Sequence, residues 1–121
     1  MIQNTHARFK RLTLAACCLS IAGCAAGPKP LYEWGGYQAQ VYQHLKTQGS
    51  APEQQIATLQ ADLEKARAKG MTPPPGFHAH LGMLYAQQGQ DDQALQALLT
   101  EKTLFPESTT YIDFLLAKIK K

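Results

Sequence analysis

After residue 24 the chain contains no cysteine at all, because Cys17, Cys18 and Cys24 are the only three. A mature chain beginning at Cys24 therefore has no disulfide framework, no thiolate metal site and no further thiol nucleophile. Valine is almost missing as well: Val41 is the only one, and no run of alternating β-branched residues occurs anywhere. That excludes a strand-built domain. Serine after Cys24 is limited to Ser50 and Ser108, both placed where helices are expected to start, so they read as caps and leave no serine nucleophile motif. A glycine-rich phosphate loop needs a preceding strand, and none is predicted. The 12 Lys and Arg exceed the 9 Asp and Glu, but Arg8, Lys10 and Arg11 precede residue 24 with no acid among them. The remaining 9 basic residues balance the 9 acids, which removes the basic surface that nucleic-acid binding requires. No nucleic-acid partner, no cofactor and no enzymatic activity are expected.

What is present begins with a leader. Positive charge fills the first eleven residues, and Leu12 to Gly23 form an apolar and small-residue run of a dozen positions. A bilayer core of about 30 Å needs about 20 helical residues, so this run is too short to span and reads as a signal peptide over residues 1–23. Its end, Ile21-Ala22-Gly23-Cys24, resembles the bacterial lipobox, in which the cysteine is lipidated and becomes the first mature residue. That resemblance implies covalent acyl chains on Cys24, each buried methylene contributing about 0.8 kcal/mol of membrane affinity. Ala25 stands where lipoproteins kept at the inner membrane typically carry Asp, so the sorting resemblance points to the outer membrane and a periplasm-facing domain. Residues 24–33, with Pro28 and Pro30, form the anchor and an extended leash.

Residues 34–121 read as all-α. The first helix is predicted from near Gly36 to Gly49, with Trp34, Tyr37, Val41 and Leu45 on one apolar stripe and Tyr42 at its edge. The second starts at a Ser50-Ala51-Pro52-Glu53 capping box, buries Ile56, Leu59, Leu63 and Ala66, and ends at Gly70. Met71 to Gly76, with three consecutive prolines, is a stiff spacer. A third helix over about Phe77–Gln88 and a fourth over about Asp91–Leu104 turn at Gly89. A last one after Ser108 has Tyr111, Ile112, Leu115, Leu116 and Ile119 as its apolar face. Asp91 and Asp92 are what a helix N-terminus favours and imply no cation site.

The third and fourth helices resemble a tetratricopeptide repeat. Leu81-Gly82, Tyr85, Ala94, Leu98 and Pro106 fall in its register of about 34 residues, with His78 in place of the usual Trp and Glu101 in place of a small residue. The implied architecture is helical hairpins in a right-handed solenoid of about two repeats, closed by a C-terminal capping helix. If that register carries over, Ala79, Met83, Ala86 and Gln87 of the third helix line a partner groove with Asp113, Ala117 and Lys120 of the last. Read as a whole, residues 31 to 116 resemble a functionally unassigned family of small bacterial lipoproteins. The matching elements are Leu31-Tyr32-x-Trp34-Gly35-x-Tyr37 with Tyr42 and Leu45-Lys46, Glu64 to Gly70, Pro74 to Gly82, and Leu104 to Ser108. This resemblance implies a periplasmic or outer-membrane lipoprotein encoded near a curli-secretion-channel-like lipoprotein.

The expected function is a non-enzymatic, protein-binding accessory or assembly factor of an envelope complex, with an envelope protein as partner. Two alternatives stand beside it: a structural envelope lipoprotein with no groove partner, and a metal or small-ligand binder using His44, His78 and His80. His78 and His80, two apart on a helix, point in opposing directions and do not converge on one ion. No metal site is therefore expected from that pair. The clustering of Tyr32, Trp34, Tyr37 and Tyr42 is expected to form the core seam of the first helix pair, with an exposed aromatic patch as the lesser reading.

Overall fold

The computed structural model describes residues 27–46 and 49–119. The leader, Cys24 and Lys120 lie outside the described residues. The chain divides into Met1–Pro30 and Leu31–Lys121. In the first unit, residues 27–30 are irregular and exposed.

The second unit is all-helical, with no strand among its described residues. Its helices are α1, Tyr37–Leu45; α2, Pro52–Ala68; α3, Phe77–Gln87; α4, Asp91–Leu104; and α5, Thr109–Ile119, entered through a short 3₁₀ turn at Pro106–Ser108. Consecutive helices pack in sequence, and the α3–α4 hairpin is the most extensive pairing. Gly82 and Ala94 act there as the repeat register predicts. A Cβ on Gly82 would lie 2.9 Å from Leu98 Cγ and 3.2 Å from the Ala94 carbonyl, so only glycine allows this closeness. Phe77, Leu81, Leu84 and Tyr85 of α3 meet Ile56 and Leu59 of α2 and Ala94 and Ala97 of α4 in the main core. A second, smaller cluster joins Ala79, Leu98 and Ile112, with Leu115, Leu116 and Ile119 half-buried around it.

Three local expectations need correction. Helix α1 stops at Leu45, four residues short of Gly49, because Lys46 takes an extended conformation at ψ 141°. Ser50 does not cap α2. Pro52 at the first helical position forces its predecessor out of the helical region, so Ala51 becomes the cap residue and Ser50 falls one step outside. The side-chain amide of Gln55 donates to the Ser50 carbonyl instead, at 2.7 Å. Ser108 likewise sits inside the 3₁₀ turn, where its hydroxyl donates to the Phe105 carbonyl at 2.7 Å. The proline spacer, by contrast, is packed: Pro73 and Pro74 are buried, and the Thr72 carbonyl accepts the Glu33 N–H at 3.0 Å.

The amides at the start of α3 are satisfied from another helix. Glu101, on the third turn of α4, is fully buried, and one carboxylate oxygen accepts the Gly76 N–H at 2.6 Å. The other accepts the N–H groups of His78 at 3.1 Å and Ala79 at 3.3 Å. Where the repeat pattern has a small residue, this chain has a carboxylate that caps the partner helix. Gly76 permits the approach, since its φ of +89° is left-handed and an added Cβ would lie 2.7 Å from the Tyr37 hydroxyl. Asp62 of α2 repeats the device for α1, accepting the Gly36 N–H at 2.7 Å while pairing with Lys65 at 3.0 Å. Glu101→Ala orphans three donors, two of them buried, so urea unfolding is expected to show a loss of about 2–4 kcal/mol. Glu101→Gln keeps the volume and one accepting oxygen and is expected to lose less than half of that; equal losses from both would contradict the capping account.

Candidate docking surface

Helix α5 presents Tyr111, Phe114 and Lys118 at spacings of three and four, on the side away from Ile112 and Leu116, which it packs inward. Tyr111 and Phe114 are 51% and 55% exposed, large values for aromatic side chains. The Tyr111 hydroxyl reaches the Met83 sulfur of α3 at 3.8 Å, and the Lys118 ammonium lies 4.5 Å from the Phe114 ring centroid. The Tyr37 phenol of α1 is half-buried, packed on Phe77 and His80 of α3. Burial raises its pKa, and the Glu101 carboxylate and Tyr111 add to the rise, so it stays a neutral hydrogen-bonding group. Two helices, α3 and α5, thus bring aromatic rings, a thioether and a cation stacked on a ring to one exposed face, a composition suited to an apolar or aromatic partner segment.

The residues expected to line a groove are distributed differently. Met83 is half-buried against Tyr111, and Gln87 is exposed at the end of α3. Ala79 is not open to a groove: it is buried with Leu98 and Ile112, because α5 closes over that turn of α3. Ala86 packs against the main core. Asp113 forms an ion pair with Lys102 of α4 at 2.7 Å, which turns its face toward α4 and away from Met83. Ala117, one turn later, is exposed. Sequence reasoning misses Tyr111 and Phe114 because apolar spacing alone places Tyr111 with the buried side of α5. A rotation of one residue about the helix separates the two assignments. The outer side of α4 also carries a shallow apolar hollow, lined by Leu95, Leu99 and Leu104, that the repeat register does not flag.

Among the described residues the three histidines separate into a pair and a single residue. His80 lies against His44 of α1, with ring centroids 4.9 Å apart, and against Tyr37 at 6.1 Å. His78 packs edge-on against Phe77 and lines the cleft with Leu63 and Arg67. No group of three or more potential metal-binding side chains converges among the described residues. The buried carboxylates Asp62 and Glu101 are both committed to backbone amides. The expected core seam of the first pair is only partly realised. Tyr37 packs on Phe77, and Tyr32 meets Phe105 edge-on, while Trp34 and Tyr42 are exposed.

A family model covers residues 31–115, and the chain belongs to that family, described as Domain of unknown function (DUF4810). No curated protein and no solved structure matches the chain.

Burial pushes the His80 pKa down to about 4, with His44 adding to the shift, and burial with nearby Arg67 lowers that of His78. In the unfolded chain both protonate near 6.5. Between these values the unfolded state binds more protons, so folding stability is expected to fall as pH drops from 6.5 toward about 4 and to have lost the His80 contribution in full below that. Melting temperature measured across this range checks it. His80→Gln is expected to flatten the decline, and an unchanged profile in that variant would contradict the assignment.

Proposed function

We propose that the protein is a lipid-anchored outer-membrane protein whose helical domain docks an envelope protein and performs no chemistry of its own. The observation that carries this reading is the exposed face formed by Tyr111, Phe114 and Lys118 beside Met83. Large aromatics left open next to a methionine are the composition that partner hot spots favour, and they lose little conformational entropy when covered. The lipobox resemblance at Ile21-Ala22-Gly23-Cys24 supports the anchor, and the family resemblance supports a curli-secretion-channel-like lipoprotein as the class of partner. If the helical hairpins stack as the repeat resemblance implies, with α5 as the cap, they support a role as an accessory or assembly factor, since such stacks present side chains from several helices on one face.

The reading distinguishes itself from a purely structural lipoprotein by what the exposed face does. Crosslinked complexes are recovered from cells carrying the tagged full-length chain, with Phe114→Glu and Met83→Glu beside the unaltered sequence. Loss of more than about tenfold of the co-purified partner in the Phe114→Glu variant is expected, the size of a hot-spot truncation. Recovery of the same partner from both variants at the level of the unaltered sequence would remove this face from the account.

A further inference from the structure

Helix α1 differs from the other α-helices in having no buried residue along its length. Its inner side is half-buried: Tyr37 packs on Phe77 and His80, and His44 on His80. Its outer side is not a solvated polar face. Gln38, Tyr42 and Leu45 succeed one another at spacings of four and three, which aligns them along a single stripe. Trp34, in the turn before the helix, stacks on Tyr37 with ring centroids 6.4 Å apart and keeps part of its ring open at the head of α1. Trp34 is 43% exposed, Tyr42 58% and Leu45 77%. Leu31, the next large apolar residue toward the N-terminus, is 79% exposed. Lys46 closes the stripe with its ammonium 4.5 Å from the Tyr42 ring centroid.

Exposed tyrosine and leucine on one side of a helix, with tryptophan at its head and lysine at its end, is the composition of an interfacial segment. The amphipathic rings sit at the level of lipid headgroups, the leucine reaches the acyl boundary, and the lysine extends back toward phosphate. Position in the chain selects the occupant. Leu31 stands only seven positions after Cys24, a reach of at most about 25 Å even when fully extended. α1 is the first helix after that leash. We infer that the outer stripe of α1, Tyr42 and Leu45, with Trp34 at the head of the helix, lies on the lipid surface to which the chain is anchored. The inference rests on the reading that Cys24 is lipidated. It gives the short leash a purpose beyond tethering: the domain is held in one orientation, with α1 toward the bilayer.

Trp34 is the only tryptophan in the chain, so its emission reports on this stripe alone. The full-length chain, processed in cells and purified from membranes, is reconstituted into phosphatidylethanolamine and phosphatidylglycerol vesicles, with and without lipids brominated near the headgroup end of the acyl chains. Flotation with the vesicles reports the anchor, and quenching reports the stripe. Blue-shifted emission quenched by about half in brominated vesicles is expected for a ring at the interface. Leu45→Glu, which alters an exposed residue and leaves the fold intact, is expected to float equally but lose most of that quenching. Flotation with unquenched Trp34, as accessible to iodide as in detergent, would overturn the inference while leaving the anchor standing. Quenching unchanged by Leu45→Glu would overturn the role of the stripe. Failure to float would overturn the anchor and this inference with it. Protection of Trp34 from iodide without bromine quenching would mean that a protein covers α1, and would also overturn it.

Discussion

The domain depends on one buried carboxylate. Glu101 of α4 reaches across to the first turn of α3 and takes the amide hydrogens of Gly76, His78 and Ala79, so the start of one helix is completed by the interior of the next. Burying a charge is costly unless its oxygens are fully used, and here both are. The backbone of the same residue anchors the exit from α4: the Phe105 N–H bonds the Glu101 carbonyl at 2.8 Å, and the Phe105 ring meets Tyr32 edge-on. Asp62 performs the parallel task for α1 through Gly36. Where a helix start is capped by a neighbouring helix, the two cannot slide past one another without orphaning amides. Register is therefore set by polar contacts as well as by the apolar seam.

This arrangement determines which faces are free. Capping draws the N-terminal ends of α1 and α3 inward and commits the two buried acids to backbone amides. What remains open is apolar and aromatic: the outer stripe of α1 on one helix, and Tyr111 and Phe114 beside Met83 on another. A domain with about the same number of positive and negative side chains, and with exposed rings on two separate helices, has surfaces suited to apolar contact more than to charge steering. The proposed division of labour rests on that difference, with α1 meeting lipid and α5 with α3 meeting protein.

Much of the fold is legible in the sequence because helix periodicity and glycine and proline punctuation are local signals. The ends of α3 and α4, the turn at Gly89 and the close approach at Gly82 agree with expectation for that reason. The errors come from places where a non-local contact or a neighbouring residue overrides a local rule. Pro52 displaces the cap from Ser50, and Lys46 ends α1 early. Glu101 reads as a departure from the repeat pattern, although a lone acid amid buried positions is itself a signal that buried donors await it. The candidate face is less legible: Tyr111 and Asp113 flank Ile112, and only the ion pair of Asp113 with Lys102 decides which of them looks toward Met83.

The proposed binding of a partner to the face built from α3 and α5 is open to direct test. A photo-crosslinking amino acid is placed at position 114 in living cells, with the exposed position 64 on α2 as control. The account predicts one defined envelope-protein adduct from position 114 and none from position 64. No adduct from position 114, or the same adducts from both positions, would contradict it.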